Sequence, residues 1–257
     1  MGFLTEITRD VRRRLDRQPL DEGGLMALAL RLPPAKPFVQ ALRSASVPAV
    51  IAEVKRASPS VGAIADVDPA AWAAAYVEGG ADAISVLTEP TRFDGSLADL
   101  RAVHLAVGIP VLRKDFLIHP SQLIEARAAG ADAVLLIAAA LSDLELEAML
   151  GAATDLGLGT LVEAHSAEDL ERALATDAAV VGVNARDLET MEVDPGRARS
   201  LLREVPADRI AVLESGIASR ADVERAVADG ARAVLVGEAL MRAADPGAAV
   251  RALRGST

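Results

Sequence analysis

From residue 49 onward the chain alternates between two patterns. Short runs of Val, Ile, Leu and Ala without polar interruption occupy 49–54, 83–87, 110–112, 133–137, 160–162, 180–183, 210–213 and 233–236. An uninterrupted apolar run of this length suits a strand covered on both faces. The longer segments between them carry apolar residues at helical spacing, as in Leu97, Leu100, Val103, His104 and Val107. Ser96, Ser142, Ser166 and Ser219 stand where such helices should start. Gly80-Ala81-Asp82-Ala83, Gly130-Ala131-Asp132-Ala133 and Gly230-Ala231-Arg232-Ala233 form a weak internal repeat, each ending a helix on glycine and opening a strand. The predicted strand ends are Lys55, Leu87, Lys114, Ile137, Glu163, Asn184, Glu214 and Val236. Eight units at steps of about 26 residues predict a (β/α)8 TIM barrel. A doubly wound open sheet is the alternative. No Gly-x-Gly-x-x-Gly follows the first strand, and the even spacing favours closure.

Residues 1–48 read differently. Arg12-Arg13-Arg14 is followed by Pro33, Pro34, Pro37 and Pro48. The expectation is an N-terminal helical extension of one or two helices and a connector over 1–48. It caps a barrel domain over 49–257, and together they form one structural unit. The Arg triplet reads as a solvated helix face before it reads as an anion site. Met1-Gly2-Phe3-Leu4-Thr5-Glu6 turns charged at once, unlike a secretory signal. The longest apolar run, 133–141, is too short to cross a bilayer. The expectation is a cytoplasmic protein with no membrane partner.

Composition narrows the chemistry. The 257 residues are 51% hydrophobic and 25% charged, which supports a core and excludes disorder. A net charge of −10 excludes a broad nucleic-acid footprint, so no nucleic-acid partner is expected. The absence of cysteine excludes disulfides, thiolate nucleophiles and Cys-based metal sites. No P-loop or Gly-x-Ser-x-Gly elbow is present. His104, His119 and His165 lack metal-ligand spacing. Neither metal nor cofactor is expected.

Barrel chemistry sits at the C-terminal ends of the strands. Here those ends are polar: Glu53 and Lys55, two apart and so on one side of strand 1; Arg113-Lys114-Asp115; Glu163; Asn184 with Arg186; and Glu214-Ser215-Gly216. Converging charges are costly unless they pair or work. An ion-pair plug is the competing reading. The chain has only three lysines, Lys36, Lys55 and Lys114, and otherwise uses Arg for its cations. A buried Lys can exchange a proton near neutral pH, whereas Arg cannot. Two of three lysines at strand ends therefore favour acid–base work. Ser215, Gly216 and Gly237 follow strands 7 and 8, the usual barrel phosphate cradle, with Ser58 and Ser60 adding hydroxyls after strand 1. Phe93 and Phe116, two of six aromatics, fall in mouth loops and suit a flat aromatic ligand.

The segments Ile51-Ala52-Glu53-Val54-Lys55-Arg56-Ala57-Ser58-Pro59-Ser60, Leu87-Thr88-Glu89-Pro90, Pro110-Val111-Leu112-Arg113-Lys114-Asp115-Phe116, Leu161-Val162-Glu163, Asn184-Ala185-Arg186-Asp187-Leu188 and Glu214-Ser215-Gly216-Ile217 resemble the indole-3-glycerol phosphate synthases. The resemblance runs in order from about Pro37 to Arg242. It implies a lyase of tryptophan biosynthesis acting on an anionic phosphosugar, 1-(2-carboxyphenylamino)-1-deoxyribulose 5-phosphate. Ring closure is followed by loss of CO₂ and of water. By resemblance, Lys114 is the general acid and Glu163 its partner. Lys55 with Glu53 binds the substrate carboxylate and handles the dehydration protons, with Lys55 also within the phosphate set. Asn184 and Glu214 hold hydroxyls and developing charge. Ser58, Ser215, Gly216 and Gly237 take the phosphate. Ser60, Phe93, Phe116, Arg186 and Leu188 bind the rest of the substrate. Val61 departs from the family's usual Lys or Arg and removes a cation near the entrance. Ala185 and Ala164 replace a frequent Asn and Val without removing a catalytic group.

Two other readings compete. A phosphoribosylanthranilate isomerase would want a Cys or Asp pair at the mouth, where this chain offers Lys and Glu. A non-catalytic relative should have lost some of Glu53, Lys55, Lys114 and Glu163, all of which are present. A monomer is expected, with a weak homodimer as the alternative.

Overall fold

A computed structural model describes residues 2–255; Met1 and the last two residues of the barrel segment, Ser256 and Thr257, lie outside the described part. Eight parallel strands close into a barrel: β1 (Ala49–Val54), β2 (Ala83–Leu87), β3 (Val111–Lys114), β4 (Ala133–Ile137), β5 (Gly159–Ala164), β6 (Val180–Asn184), β7 (Ile210–Glu214) and β8 (Ala233–Val236). Closure occurs because β1 pairs with both β2 and β8, setting Ile51 opposite Ala83 on one side and Leu235 on the other. The open-sheet alternative is excluded. The apolar runs mark the strands, but β3, β6 and β7 extend beyond them into Lys114, Asn184 and Glu214, because polar residues that face the barrel mouth continue the ladder.

The outer layer is helical: α4 (Pro69–Glu78), α5 (Leu97–Ala106), α6 (Pro120–Ala128), α7 (Asp143–Asp155), α8 (Ala167–Leu174), α9 (Pro195–Leu202), α10 (Arg220–Ala228), the short α11 (Glu238–Met241) and α12 (Pro246–Arg254). The four expected serines are N-caps of α5, α7, α8 and α10, each accepting a hydrogen bond from the third residue of its helix. Three of the four carry the reciprocal bond that completes a capping box. Gly80, Gly130 and Gly230 take φ of +93°, +96° and +105° as the chain leaves α4, α6 and α10.

Before the barrel come three helices rather than one or two: α1 (Phe3–Arg17), α2 (Glu22–Ala29) and α3 (Phe38–Ser44). The unforeseen α3 is a seven-residue helix whose signal is lost between Pro37 and Pro48. Its Phe38 and Leu42 are fully buried against β2 and β5, with Phe38 touching Gly159 at the start of β5. It therefore plugs the N-terminal end of the barrel. Lys36, just before it, donates its backbone N–H to Asp132 Oδ1 at 2.8 Å and its ammonium to Oδ2 at 3.2 Å, tying the extension to the start of β4. The third lysine is thus structural. At the opposite end, the first turn of α1 reaches the mouth. Phe3 and Leu4 donate backbone N–H groups to the carbonyls of Glu189 and Leu188. The Arg triplet lies exposed on α1, with Arg12 3.8 Å from Glu145 and Arg13 3.8 Å from Asp10.

Candidate active site

The C-terminal ends of the strands surround a cavity of about 500 Å³. It is lined by Glu53, Lys55, Ser58, Ser60, Phe93, Lys114, Phe116, Asn184, Arg186, Leu188, Glu214, Ser215, Gly216 and Gly237, every expected site residue except one. The exception is Glu163, which is fully buried behind Lys114 and is not part of the wall.

Strand alternation sets the arrangement. Lys114 turns inward, while its neighbour Arg113 turns out and is 2% exposed. The Arg113 guanidinium donates to Asp115 and Glu125, both at 2.9 Å, and to Thr88 Oγ1 at 3.1 Å. That network anchors the strand end on which Lys114 sits. The Lys114 ammonium donates to Glu163 Oε2 at 3.4 Å and lies 3.7 Å from Glu214 Oε2. Across the floor, Lys55 Nζ is 2.8 Å from Glu53 Oε1. The converging charges therefore pair in two sets, one for each lysine.

Their electrostatics are unequal. Burial alone would lower the Lys114 pKa, but Glu163, Glu214 and Glu53 together reverse this and raise it. The surrounding carboxyls thus favour the protonated form of Lys114. The two carboxylates beside it divide. Burial opposes ionisation of Glu163, yet Lys114 and His165 outweigh it and hold the carboxyl well below its ordinary range. Glu214 is pushed well above that range, first by burial and then by the neighbouring Glu163 charge. Neither Glu214 oxygen has a hydrogen-bond partner, and the residue is 1% exposed. A buried carboxyl without donors is best accommodated neutral.

Two glycines make room for this. A Cβ on Gly182 of β6 would collide with Glu214 Oε1, and one on Gly237 would collide with Glu53 Oε1 and come within 3.1 Å of Lys55 Nζ. Gly237 was expected for its backbone; its lack of a side chain also admits the Lys55–Glu53 pair. Ser215 and Gly216 both have positive φ, 65° and 73°. A non-glycine residue there is uncommon and marks a functional turn. Gly216 has no side chain to shield its backbone N–H from an incoming anion. Ser58 and Ser60 place their hydroxyls 3.4 Å apart on the facing loop. Asn184 Oδ1 accepts from the backbone N–H of Arg186 at 2.9 Å, and the Arg186 guanidinium donates to the Met191 carbonyl at 3.0 Å, so it meets no carboxylate. Val61 is exposed at the tip of the hairpin formed by Ala57–Ser58 and Gly62–Ala63 and does not line the cavity.

Phe93 and Phe116 form one wall with ring centroids 6.2 Å apart. Phe3 packs edge-on to both, at 6.4 and 5.9 Å. Sequence reasoning missed Phe3, because nothing local links position 3 to positions 93 and 116. It also missed Arg242, which lines the cavity 3.1 Å from Glu238. His165 lacks metal-ligand spacing in the sequence, yet its Nε2 is 2.9 Å from Glu163 Oε1. Among the described residues, no group of three or more His, Cys, Asp or Glu is placed to hold a metal ion.

The indole-3-glycerol phosphate synthase family profile matches residues 4–253. The indole-3-glycerol phosphate synthase of Micrococcus luteus is 49% identical, over all of this chain and 98% of its own. That of a Nocardioides species is 54% identical, over 89% of this chain and 88% of its own. Among solved structures, a 3-hexulose-6-phosphate synthase superposes with a TM-score of 0.64 at 20% identity, over 80% of this chain and 98% of its own. A mutant tryptophan synthase α-subunit from Pyrococcus furiosus reaches 0.61 at 18%, with the same coverage. These two likenesses establish the TIM barrel alone. The family match over nearly the whole chain, together with relatives near half identity, shows that this chain belongs to the indole-3-glycerol phosphate synthase family.

Proposed function

We propose that this cavity closes the indole ring of 1-(2-carboxyphenylamino)-1-deoxyribulose 5-phosphate, with the two lysine–glutamate sets dividing the proton transfers. The observation that carries the reading is the ammonium of Lys114 held between two buried carboxyls, across the floor from a second Lys–Glu pair.

The ring carbon bearing the carboxylate attacks the ribulose carbonyl carbon, and Lys114 gives its proton to the carbonyl oxygen. A lysine kept charged by its neighbours enters that step loaded, and Glu163 stabilises its charge beforehand. Loss of CO₂ restores aromaticity. The new hydroxyl then leaves as water, protonated by Lys55, while Glu53 takes the proton from the adjacent carbon. The Lys55–Glu53 contact lets that proton return directly to the lysine. A carboxylate leaves as neutral CO₂, so one proton is taken up per turnover, and it restores Lys114. Neutral Glu214 and Asn184 serve as donors to the substrate hydroxyls. The phosphate occupies the concavity of Ser215, Gly216 and Gly237, with Ser58 and Lys55 at its edge. Phe93, Phe116 and Leu188 enclose the aromatic ring, and Ser60 and Arg186 close the rim.

Residues 1–48 act as an extension of the same structural unit, capping the barrel domain of 49–257. A monomer is the working unit of this reading, with a weak homodimer as the alternative. Among the described residues no helix is long and apolar enough to cross a membrane. A phosphorylated biosynthetic substrate suits the cytoplasm. Lys and Glu at the catalytic positions disfavour the isomerase reading, and their retention disfavours a non-catalytic relative.

Mixing the pure protein with the substrate, without added metal, should generate indoleglycerol phosphate fluorescence over many turnovers. Binding without turnover would refute the assignment. EDTA should leave the rate unchanged; inactivation reversed by a metal would overturn the metal-free reading.

A further inference from the structure

His165 lies in the single-residue gap between β5, which ends at Ala164, and Ser166, the N-cap of α8. The capping box leaves it little freedom: Asp169 Oδ2 accepts the N–H of His165 at 3.3 Å and that of Ser166 at 3.2 Å. Two residues beyond Glu163, the ring turns to the same side, and its Nε2 comes 2.9 Å from Glu163 Oε1. Both residues are buried, at 6% and 0% exposure. The two atoms are close but not aligned for a hydrogen bond, and neither has an aligned partner elsewhere. Glu163 is faced by Lys114 from β3 and Glu214 from β7. His165 also faces Asp187 in the loop after β6.

The carboxylate of Glu163 therefore stands between two groups, an ammonium bonded to Oε2 and an imidazole nitrogen beside Oε1. They differ in one respect. During ring closure Lys114 gives its proton away, and for that interval a fully buried carboxylate loses its cation. A buried anion left without a partner moves or takes up a proton. Either response removes the group that must receive Lys114 back as an ammonium. Glu214 does not substitute, since in the reading above the proton of its neutral carboxyl is committed to the substrate hydroxyls.

We propose that His165 is a positioning residue: its ring nitrogen keeps the Glu163 carboxylate turned toward Lys114 while that lysine is without its proton. The proposal rests on the general-acid role of Lys114 given above. His165 is not among the residues that line the cavity, so its effect belongs in kcat and not in KM.

The test compares His165→Leu, which removes the donor, with His165→Gln, whose amide nitrogen reaches the same region. For His165→Leu we expect kcat to fall about 10- to 100-fold, as when the partner orienting a functional group is lost, with KM within about threefold of wild type. His165→Gln should recover most of that loss. Wild-type rates from either variant, equal loss from both, or a rise in KM with kcat kept would each overturn the proposal. If His165→Leu does not fold, His165→Asn replaces it, because its amide is too short and should show the same loss. A second readout is independent of turnover. Glu163→Gln should shift the ring ¹⁵N signals of His165 and leave those of His104 and His119 in place; an unmoved His165 signal would remove the contact on which the proposal stands. Absence of turnover in the wild type would instead refute the reading of the substrate.

Discussion

Two carboxyls that flank one ammonium, Glu163 and Glu214, are pushed in opposite directions by their surroundings. Glu163 has a cation and an imidazole as neighbours; Glu214 has burial and a nearby negative charge. Sequence presents both as a glutamate ending a strand, and only the spatial neighbours separate them. The division has a measurable sign. A carboxyl whose folded pKa is raised binds more protons folded than unfolded. Its contribution therefore turns unfavourable as pH rises above its ordinary value of 4.5 toward the raised one. Glu214→Gln should consequently raise stability at pH 7.5 by about 1 kcal/mol, or about 2–4 °C in Tm, and the gain should shrink toward pH 4.5 while kcat falls. Thermal melts at the two pH values check this; a gain independent of pH would contradict a neutral Glu214. Lys114→Arg asks a different question of the same cluster. It keeps the charge but cannot give up a proton near neutrality. Turnover should fall by at least about a hundredfold, as for loss of a general acid, and a near-normal kcat would remove Lys114 from that role.

Elements were legible in the sequence to the extent that their signals are local. The eight apolar runs and the serine caps of α5, α7, α8 and α10 depend on residues within a few positions of one another, and they mark the barrel correctly. The composition argument from Lys55 and Lys114 found both lysines of the cavity floor. Contacts across the barrel had no such signal. Phe3 reaches Phe93 and Phe116 only because α1 folds over the mouth. Gly182 reads as a gap in an apolar strand until Glu214 of the neighbouring strand is seen beside it. One signal was present but unused: the two-residue alternation that pairs Glu53 with Lys55 also pairs Glu163 with His165. Gly182→Ala tests how strongly β6 shapes its neighbour. The added methyl must displace Glu214, so kcat should drop at least about tenfold; overpacking should cost about 1–3 kcal/mol. Unchanged kinetics would mean that the Glu214 position is not demanding.

Across the whole molecule, the two ends of the barrel do different work. The mouth holds the paired charges, and the non-glycine residues with positive φ among the described residues, Asp94, Met191 and Ser215, all lie in loops around it. The other end is closed by α3 and by the Lys36–Asp132 contact, and none of these residues lines the cavity. A change at the closed end should therefore separate stability from catalysis. Phe38→Ala, which empties a fully buried site, should lower stability by about 3–5 kcal/mol and leave kcat at 25 °C unchanged. Denaturant titration and steady-state kinetics on one preparation check both halves; a large fall in kcat without a stability change would show the ends to be coupled.

The clasp between the first turn of α1 and the loop after β6 also orders events in time. Phe3, Leu4 and Thr5 bind Leu188 and Glu189, with Thr5 Oγ1 2.7 Å from its acceptor across 184 residues of chain. During synthesis the first turn emerges early, and its receptor emerges only after six of the eight strands have been made. Until then Phe3 has no loop to close over, and the apolar face of α1 must wait or find a temporary cover. The mouth of the cavity is thus completed only after six strands have been made, by a piece of chain made before any of them.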